Sequence, residues 1–105
     1  MAQFDVYRNP NPATRARIPC LLDVQSDLLD MLATRVVVPL YKPEVLRGKA
    51  AERLNPVFEI KGRKVTMHTP ELAGVPRKIL GEPVDNLSSE RSAIIAALDL
   101  VFTGI

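Results

Sequence analysis

Apolar and polar positions alternate over residues 3–7, with Phe4 and Val6 on one side and Gln3, Asp5 and Tyr7 on the other. A period of two is that of a half-buried strand, so the chain is expected to begin as one. The run Asn9-Pro10-Asn11-Pro12 cannot continue a ladder, because proline lacks a donor and pushes its predecessor into an extended conformation. A polar loop is expected there, with Arg8, Arg15 and Arg17 around it. Residues 20–25 and 35–40 read as two further strands, the second rich in β-branched side chains (Val36, Val37, Val38) and closed by Pro39. Ser26-Asp27 opens a turn between them.

The next segment, residues 41–54, carries Val45, Leu46, Ala50, Ala51 and Leu54 with Pro43 near its start. That spacing predicts one or two short helical turns. Residues 57–60 and 64–69 are β-prone runs joined by Lys61-Gly62-Arg63, a hairpin signal. Residues 72–75 read as a turn closed by Gly74 and Pro76, and residues 77–80 as a short strand ended by Gly81 and Pro83.

From Ser88 onward the period changes. Ser88 or Ser89 is placed to cap a helix, Glu90 lies in its first turn, and no Pro or Gly interrupts before Gly104. Ile94, Ala97, Leu98 and Val101 form a core-facing stripe, with Ala93, Ala96 and Leu100 opposite and Ile95 and Phe102 on a third side. A helix apolar nearly all round is more than one small sheet can cover, so a subunit or partner is expected on the remaining face. Gly104, just past the last turn, suits a left-handed cap that leaves Ile105 outside.

Composition narrows the classes further. The chain has 105 residues, 47% of them hydrophobic and 25% charged, which fits one globular domain spanning residues 1–105 and excludes a disordered tail, a collagen-like fibre or a disulfide scaffold. A domain of this size is marginally stable alone, which again favours oligomerisation. The net charge is +2, and both signs are mixed along the chain, so no nucleic-acid partner is read from it. A lone Cys20 and the lack of a leader-like N-terminus point to a reducing cytoplasm, and no apolar run reaches the roughly 20 residues of a membrane span.

Chemistry-bearing constellations are thin. One Cys and one His far apart do not make a zinc site, and Cys20 beside Leu21 and Leu22 reads as a small core residue. His68 lies in a strand with no assigned nucleophile beside it. Asp23, Asp27 and Asp30 straddle a strand end and a turn, where aspartate bonds its own backbone, and that reading stands ahead of a metal cluster. No glycine-rich phosphate loop follows a strand. No catalytic residue, metal or cofactor is therefore expected, and a protein that acts by binding is the better inference.

The stretch from Asp23 through Gln25 to Asp30 carries a resemblance, joined by Gln3-Phe4-Asp5-Val6-Tyr7, Arg35-Val36-Val37-Val38-Pro39-Leu40, Pro56-Val57, Gly74-Val75-Pro76, Asp85-Asn86-Leu87-Ser88 and Phe102-Thr103-Gly104-Ile105. Over essentially its whole length the chain resembles the CcdB family, toxins of toxin–antitoxin modules that poison DNA gyrase. The resemblance implies a mainly β, SH3-like antiparallel barrel with one C-terminal helix, assembled as a homodimer. It implies contact with the gyrase A subunit through Leu28, Leu29, Asp99, Phe102, Thr103, Gly104 and Ile105, without covalent chemistry. It also implies a cognate CcdA-like antitoxin with a disordered, acidic segment, bound near residues 8–17 and 41–47, where Arg8, Arg15, Arg17, Lys42 and Arg47 offer charge. Operator DNA is then reached only through the antitoxin. Two positions depart from the best-known member, which has Trp at Thr103 and Asn at Asp99. Two rivals stand beside this reading: an endoribonuclease toxin of the MazF or Kid type on the same fold, and a non-toxic copy that binds antitoxin and represses its operon.

Overall fold

The structure, a computed structural model, describes residues 1–48 and 51–104. Lys49, Ala50 and Ile105 lie outside the described residues, so the helical reading at Ala50 and the expected position of Ile105 are not addressed by it. Seven strands, β1 (Asp5–Arg8), β2 (Cys20–Asp23), β3 (Thr34–Tyr41), β4 (Val57–Ile60), β5 (Arg63–Met67), β6 (Ala73–Pro76) and β7 (Asp85–Asn86), precede one helix, α1 (Arg91–Thr103). All pairings are antiparallel, in the order β4-β5-β3-β2-β1-β7 with β6 also on β3, and the sheet curls into a nearly closed barrel. The expected mainly β architecture with a C-terminal helix is what forms.

The inner face of the sheet holds the main core, in which Val6, Leu22, Val38, Leu40 and Met67 are fully buried against Ile94 and Ala97 of α1. The outer face of β1, β2 and β3 is covered as well: Tyr7, Val37 and Leu80 cluster there with Leu21 and Val75. Burial on both faces explains why the β-branched run in β3 is continuous rather than alternating. It also accounts for Tyr7, which the period of two placed on the polar side and which is buried with its phenol pushed up to about 12, first by burial and then by Asp5 and Asp23.

The first strand starts later than expected. Phe4 sits at φ 72°, a left-handed conformation uncommon for a bulky residue, and β1 begins only at Asp5. From there Phe4 donates its N–H to Asp23 O (2.7 Å), accepts from Leu87 N–H (2.8 Å), and turns its ring into the core with the Arg91 guanidinium 5.6 Å above it. One strained residue thereby joins β1, β2 and the start of the helix.

Pro39 does not close β3, which runs on to Tyr41. The bond from Val24 N–H to Val36 O turns the polar edges of Val36, Val38 and Leu40 toward β2, whereas Pro39 O accepts from His68 N–H on the opposite side (3.0 Å). On that side the pairing with β6 ends at Val37 and the pairing with β5 begins at Leu40. Pro39 stands opposite His68 at this changeover, and the His68 carbonyl that the missing N–H would have met accepts from Glu71 N–H instead (3.0 Å).

Residues 72–75, expected as a turn, include most of β6, and residues 77–80, expected as a strand, begin with a single 3-10 turn over Arg77–Ile79. The reversal follows from β3. Its first half, Thr34 to Val37, is left free by β5 and takes β6 as its partner, and that edge runs out at Thr34 opposite Pro76. The hairpin forms, but its turn has two residues rather than the three expected: Lys61 at φ 50° and Gly62 at φ 82° are the positive pair that a type I′ turn requires, and Arg63 already opens β5 opposite Ile60. A 3-10 turn over Pro43–Leu46 matches the short helical reading there.

The C-terminal helix differs at its start. Neither Ser88 nor Ser89 caps it by side chain; Asn86 Oδ1 accepts the Ser88 N–H (2.8 Å) while its Nδ2 donates to Asp5 Oδ1 (2.9 Å), and a 3-10 turn over Ser88–Glu90 leads into α1. Ile94 and Ala97 are the fully buried pair, flanked by partly buried Ile95 and Leu98, with Leu100 and Val101 partly exposed and Ala93 and Ala96 exposed. Gly104 closes the helix at φ 77°, ψ 14°, its N–H on Leu100 O, as the glycine's position predicted.

Candidate functional site

The loop between β2 and β3 is built from polar groups and displays apolar ones. Ser26 Oγ accepts the Leu28 N–H (3.2 Å) and starts a 3-10 turn over Asp27–Leu29. Asp27 Oδ1 accepts from the Gln3 N–H (2.7 Å). Gln25, buried, donates from Nε2 to Leu29 O (2.9 Å) and accepts the Val36 N–H on Oε1 (3.1 Å), tying the loop's middle to β3.

Beneath the loop lies Arg35, fully buried. Its Nε donates to Asp23 Oδ2 (2.7 Å) and its Nη1 to Asp30 Oδ1 (3.1 Å), while Asp23 Oδ1 accepts the Gln25 N–H (3.0 Å). Burial acts to lower the guanidinium's pKa, but the hydrogen bond and charge of Asp23 outweigh it and the net shift is upward, so Arg35 stays charged. Arg77 reaches over from the segment after β6 to the Asp30 and Leu32 carbonyls and to the Asp30 carboxylate (3.6 Å). Asp23, Asp27 and Asp30 are thus each taken by N–H donors of the fold. Among the described residues no group of His, Cys, Asp and Glu is arranged to hold a metal ion. Sequence reasoning had counted Arg35 only as a strand residue and a basic one; the signal for its role was an arginine preceding a β-branched run, on a strand facing Asp23.

With the backbone fixed this way, Leu28 stands 85% exposed and Met31 78%, with Leu29 and Leu32 exposed beside them. Single exposed leucines are ordinary, whereas here four large apolar side chains are displayed within five residues of a well-bonded loop. Leu28 and Leu29 are among the residues that the resemblance assigns to gyrase contact; Met31 and Leu32, displayed with them, are not.

The last turn of α1 gathers a second set. Phe102 is 69% exposed, Asp99 and Thr103 are exposed, and the Thr103 hydroxyl donates back to Asp99 O (2.7 Å). Asp99, Phe102, Thr103 and Gly104 therefore share one helix end, while Leu28 and Leu29 occupy a separate element. Ile105 lies outside the described residues.

The expected basic residues are divided in their roles. Asn9, buried, organises the loop after β1 by donating to Thr14 Oγ1 (2.9 Å) and Ile18 O (2.8 Å). Arg15 is drawn into the same scaffold, its Nε on Asn9 O (2.8 Å) and its Nη2 on Pro10 O (3.1 Å). Arg8, Arg17, Lys42 and Arg47 are exposed, and the bond from Lys42 N–H to Arg17 O (2.9 Å) brings the two predicted segments side by side.

His68 is occupied structurally. Asn55 Nδ2 donates to its Nδ1 (3.1 Å), which assigns the ring proton to Nε2, 3.8 Å from Glu71 Oε2. Tyr41 packs edge-on against the imidazole, with centroids 5.4 Å apart, and donates its hydroxyl to Glu71. Burial first, and then that bond to Glu71, push the Tyr41 phenol up to about 12.

No helix among the described residues is long and apolar enough to cross a membrane. The chain matches the profile of the CcdB family, described as CcdB protein, over residues 3–104.

Proposed function

The chain belongs to the CcdB family and is a toxin of the toxin–antitoxin type, and from that premise we propose that it poisons DNA gyrase by binding the A subunit without chemistry of its own. The observation that carries the reading is the last turn of α1, where Phe102 stands exposed on a helix whose backbone is capped at Gly104. Leu28 and Leu29 add a second exposed apolar element, and Asp99, Thr103, Gly104 and Ile105 complete the proposed gyrase surface. The active species is a homodimer: α1 fully buries only Ile94 and Ala97, leaving Ala93, Ala96, Leu100 and Val101 for a second copy. Neutralisation in the cytoplasm is by an antitoxin with an acidic segment, met by Arg8, Arg17, Lys42 and Arg47, with Arg15 shaping the loop that presents them. Operator DNA is engaged only through that antitoxin.

Purified protein incubated with gyrase and supercoiled DNA, and separately with RNA, tests the reading. Accumulation of cleaved DNA with intact RNA is the expected result; RNA cleavage with no gyrase effect overturns it in favour of a ribonuclease. Thr103 favours one further reading. Its hydroxyl is spent on Asp99 O and it offers no aromatic surface where the best-known member has Trp, which fits a copy that binds antitoxin and represses but no longer poisons. Growth arrest on induced expression excludes that copy.

A further inference from the structure

Residues 27–34 are all exposed, so side-chain packing does not fix the backbone of the loop between β2 and β3. Hydrogen bonds take its place. In the first half the Leu28 N–H donates to Ser26 Oγ, Gln25 Nε2 to Leu29 O and the Gln3 N–H to Asp27 Oδ1. The second half, where Leu32 N–H reaches back to Leu29 O (3.1 Å), is held from outside by Arg77. The Arg77 N–H donates to Ala33 O (2.9 Å) and its Nη1 to the Leu32 (3.2 Å) and Asp30 carbonyls, so three of the four carbonyls over residues 30–33 accept from one residue. Arg77 Nη2 stands 3.6 Å from Asp30 Oδ1, an oxygen that also accepts from Nη1 of the buried Arg35 (3.1 Å). The arm that carries the Arg77 side chain is itself fixed to the barrel. Pro76 pairs with Thr34 at the end of β6, and the Leu80 N–H closes a 3-10 turn on Arg77 O (3.1 Å), with Leu80 buried in the outer cluster beside Tyr7 and Val37.

We propose that Arg77 is a positioning residue for target binding: it clamps residues 30–33 so that Met31 and Leu32 are displayed in a fixed arrangement beside Leu28 and Leu29, and all four meet the gyrase A subunit. The identity of the target rests on the gyrase reading; the clamp rests on the loop geometry. The chemistry of the guanidinium suits the task, because a planar fork with five donors serves two carbonyls and a carboxylate at once, whereas a lysine ammonium is a single point. A loop ordered before contact also binds more tightly than one ordered on contact, since its backbone entropy is already lost. The two halves of the loop are therefore separable. Leu28 is presented by bonds that do not involve Arg77, and Met31 and Leu32 by bonds that do. The Arg77 side chain keeps 36% of its surface exposed and lies outside both core clusters, so its removal leaves the barrel packed.

Nitrogen-15 relaxation and titration with the gyrase A subunit test the clamp and its purpose separately. Arg77→Ala is expected to lower the backbone order parameters of Met31 and Leu32 from about 0.85 to below about 0.6, while those of Leu28 and Val38 stay as they are. Affinity for the A subunit is expected to fall about fivefold or more. With Met31→Ala and Leu32→Ala already in place, Arg77→Ala should have no further effect on affinity, whereas with Leu28→Ala in place its full effect should persist. A residue that only stabilised the fold would lower affinity by the same factor in both backgrounds. Arg77→Lys keeps the charge and the stem but cannot span both carbonyls, so it is expected to leave Met31 less ordered than in the parent, and it takes the place of Arg77→Ala should that variant fail to fold. Unchanged order at Met31 and Leu32, full order with Arg77→Lys, unchanged affinity, or an equal loss of affinity in both backgrounds overturns the proposal. A parent chain that does not bind the A subunit overturns the gyrase reading and the target named here with it, while the order parameters alone then decide whether Arg77 holds the loop.

Discussion

Arg35 and Asp23 form an ion pair in which neither side chain is exposed to solvent, Nε standing 2.7 Å from Oδ2. The pair sits where β2 and β3 leave the sheet for the loop, and Asp30 and Gln25 hang from it. Deleting one charge leaves the other buried and unpaired, so Asp23→Ala is expected to cost about 3–5 kcal/mol in urea unfolding. Asp23→Leu combined with Arg35→Met should cost much less than the single change. A single substitution no worse than the double would show that the pair is not the hub of this region.

Tyr7 and Tyr41 are the chain's two tyrosines, it has no tryptophan, and both phenols are raised to about 12 from 10.0. The unfolded chain releases these protons first. Stability from this source is therefore complete below about pH 10 and falls as pH climbs toward 12. Tyrosinate absorbance is expected to stay flat near pH 10 and to rise together with loss of circular dichroism. A normal titration near pH 10 in the still-folded protein would contradict the placement of both rings.

Leu28→Glu and Phe102→Ala alter exposed side chains, so each should leave stability within about 0.5 kcal/mol of the parent. Each is nevertheless expected to reduce gyrase poisoning at least tenfold. Unchanged cleavage-complex yield in both variants would move the toxic surface elsewhere.

Leu100→Lys places a charge on the face of α1 proposed to meet a second copy, where burial without a partner costs several kcal/mol. Sedimentation equilibrium at micromolar concentration should show the parent as a dimer and the variant shifted toward the 11.6 kDa monomer. A parent protein that sediments only as monomer rules out the dimer.

Thr103→Trp adds the large aromatic surface that anchors many interfaces, commonly about 2 kcal/mol or more, against 1.4 kcal/mol for each tenfold in affinity. Poisoning should strengthen roughly tenfold. Removal of Gly104 and Ile105 is expected to abolish gyrase binding while the fold and antitoxin binding persist; a truncated protein as potent as the intact one would show that the carboxy terminus is not the toxic surface.

What was legible along the chain was whatever its local pattern determined. The hairpin around Gly62 and the Gly104 cap each depend on a few adjacent residues, whereas the alternation around Val6 misplaced Tyr7, whose outer face is covered by Val37 and Leu80. Segments decided by a distant partner were misread: Ala73 to Pro76 became a strand because β3 had a free edge, and Pro39 stayed within a strand because the His68 carbonyl opposite it is satisfied by Glu71 N–H. Arg35 looked like any basic residue, since nothing near it in sequence says that Asp23 and Asp30 will converge on it. Leu28 and Leu29 were singled out through family resemblance alone, and nothing in the local pattern marked Met31 and Leu32 as exposed beside them.

The loop above Arg35 has a consequence for how this protein can change over time. Its bonds use backbone groups and the side chains of Gln25, Ser26, Asp27, Asp30, Arg35 and Arg77. None uses the exposed parts of Leu28, Leu29, Met31 or Leu32. Under the proposed function, selection for folding and selection for target choice act on different residues of one short segment, and the displayed quartet can drift toward a new target's surface while the barrel beneath it stays as it is.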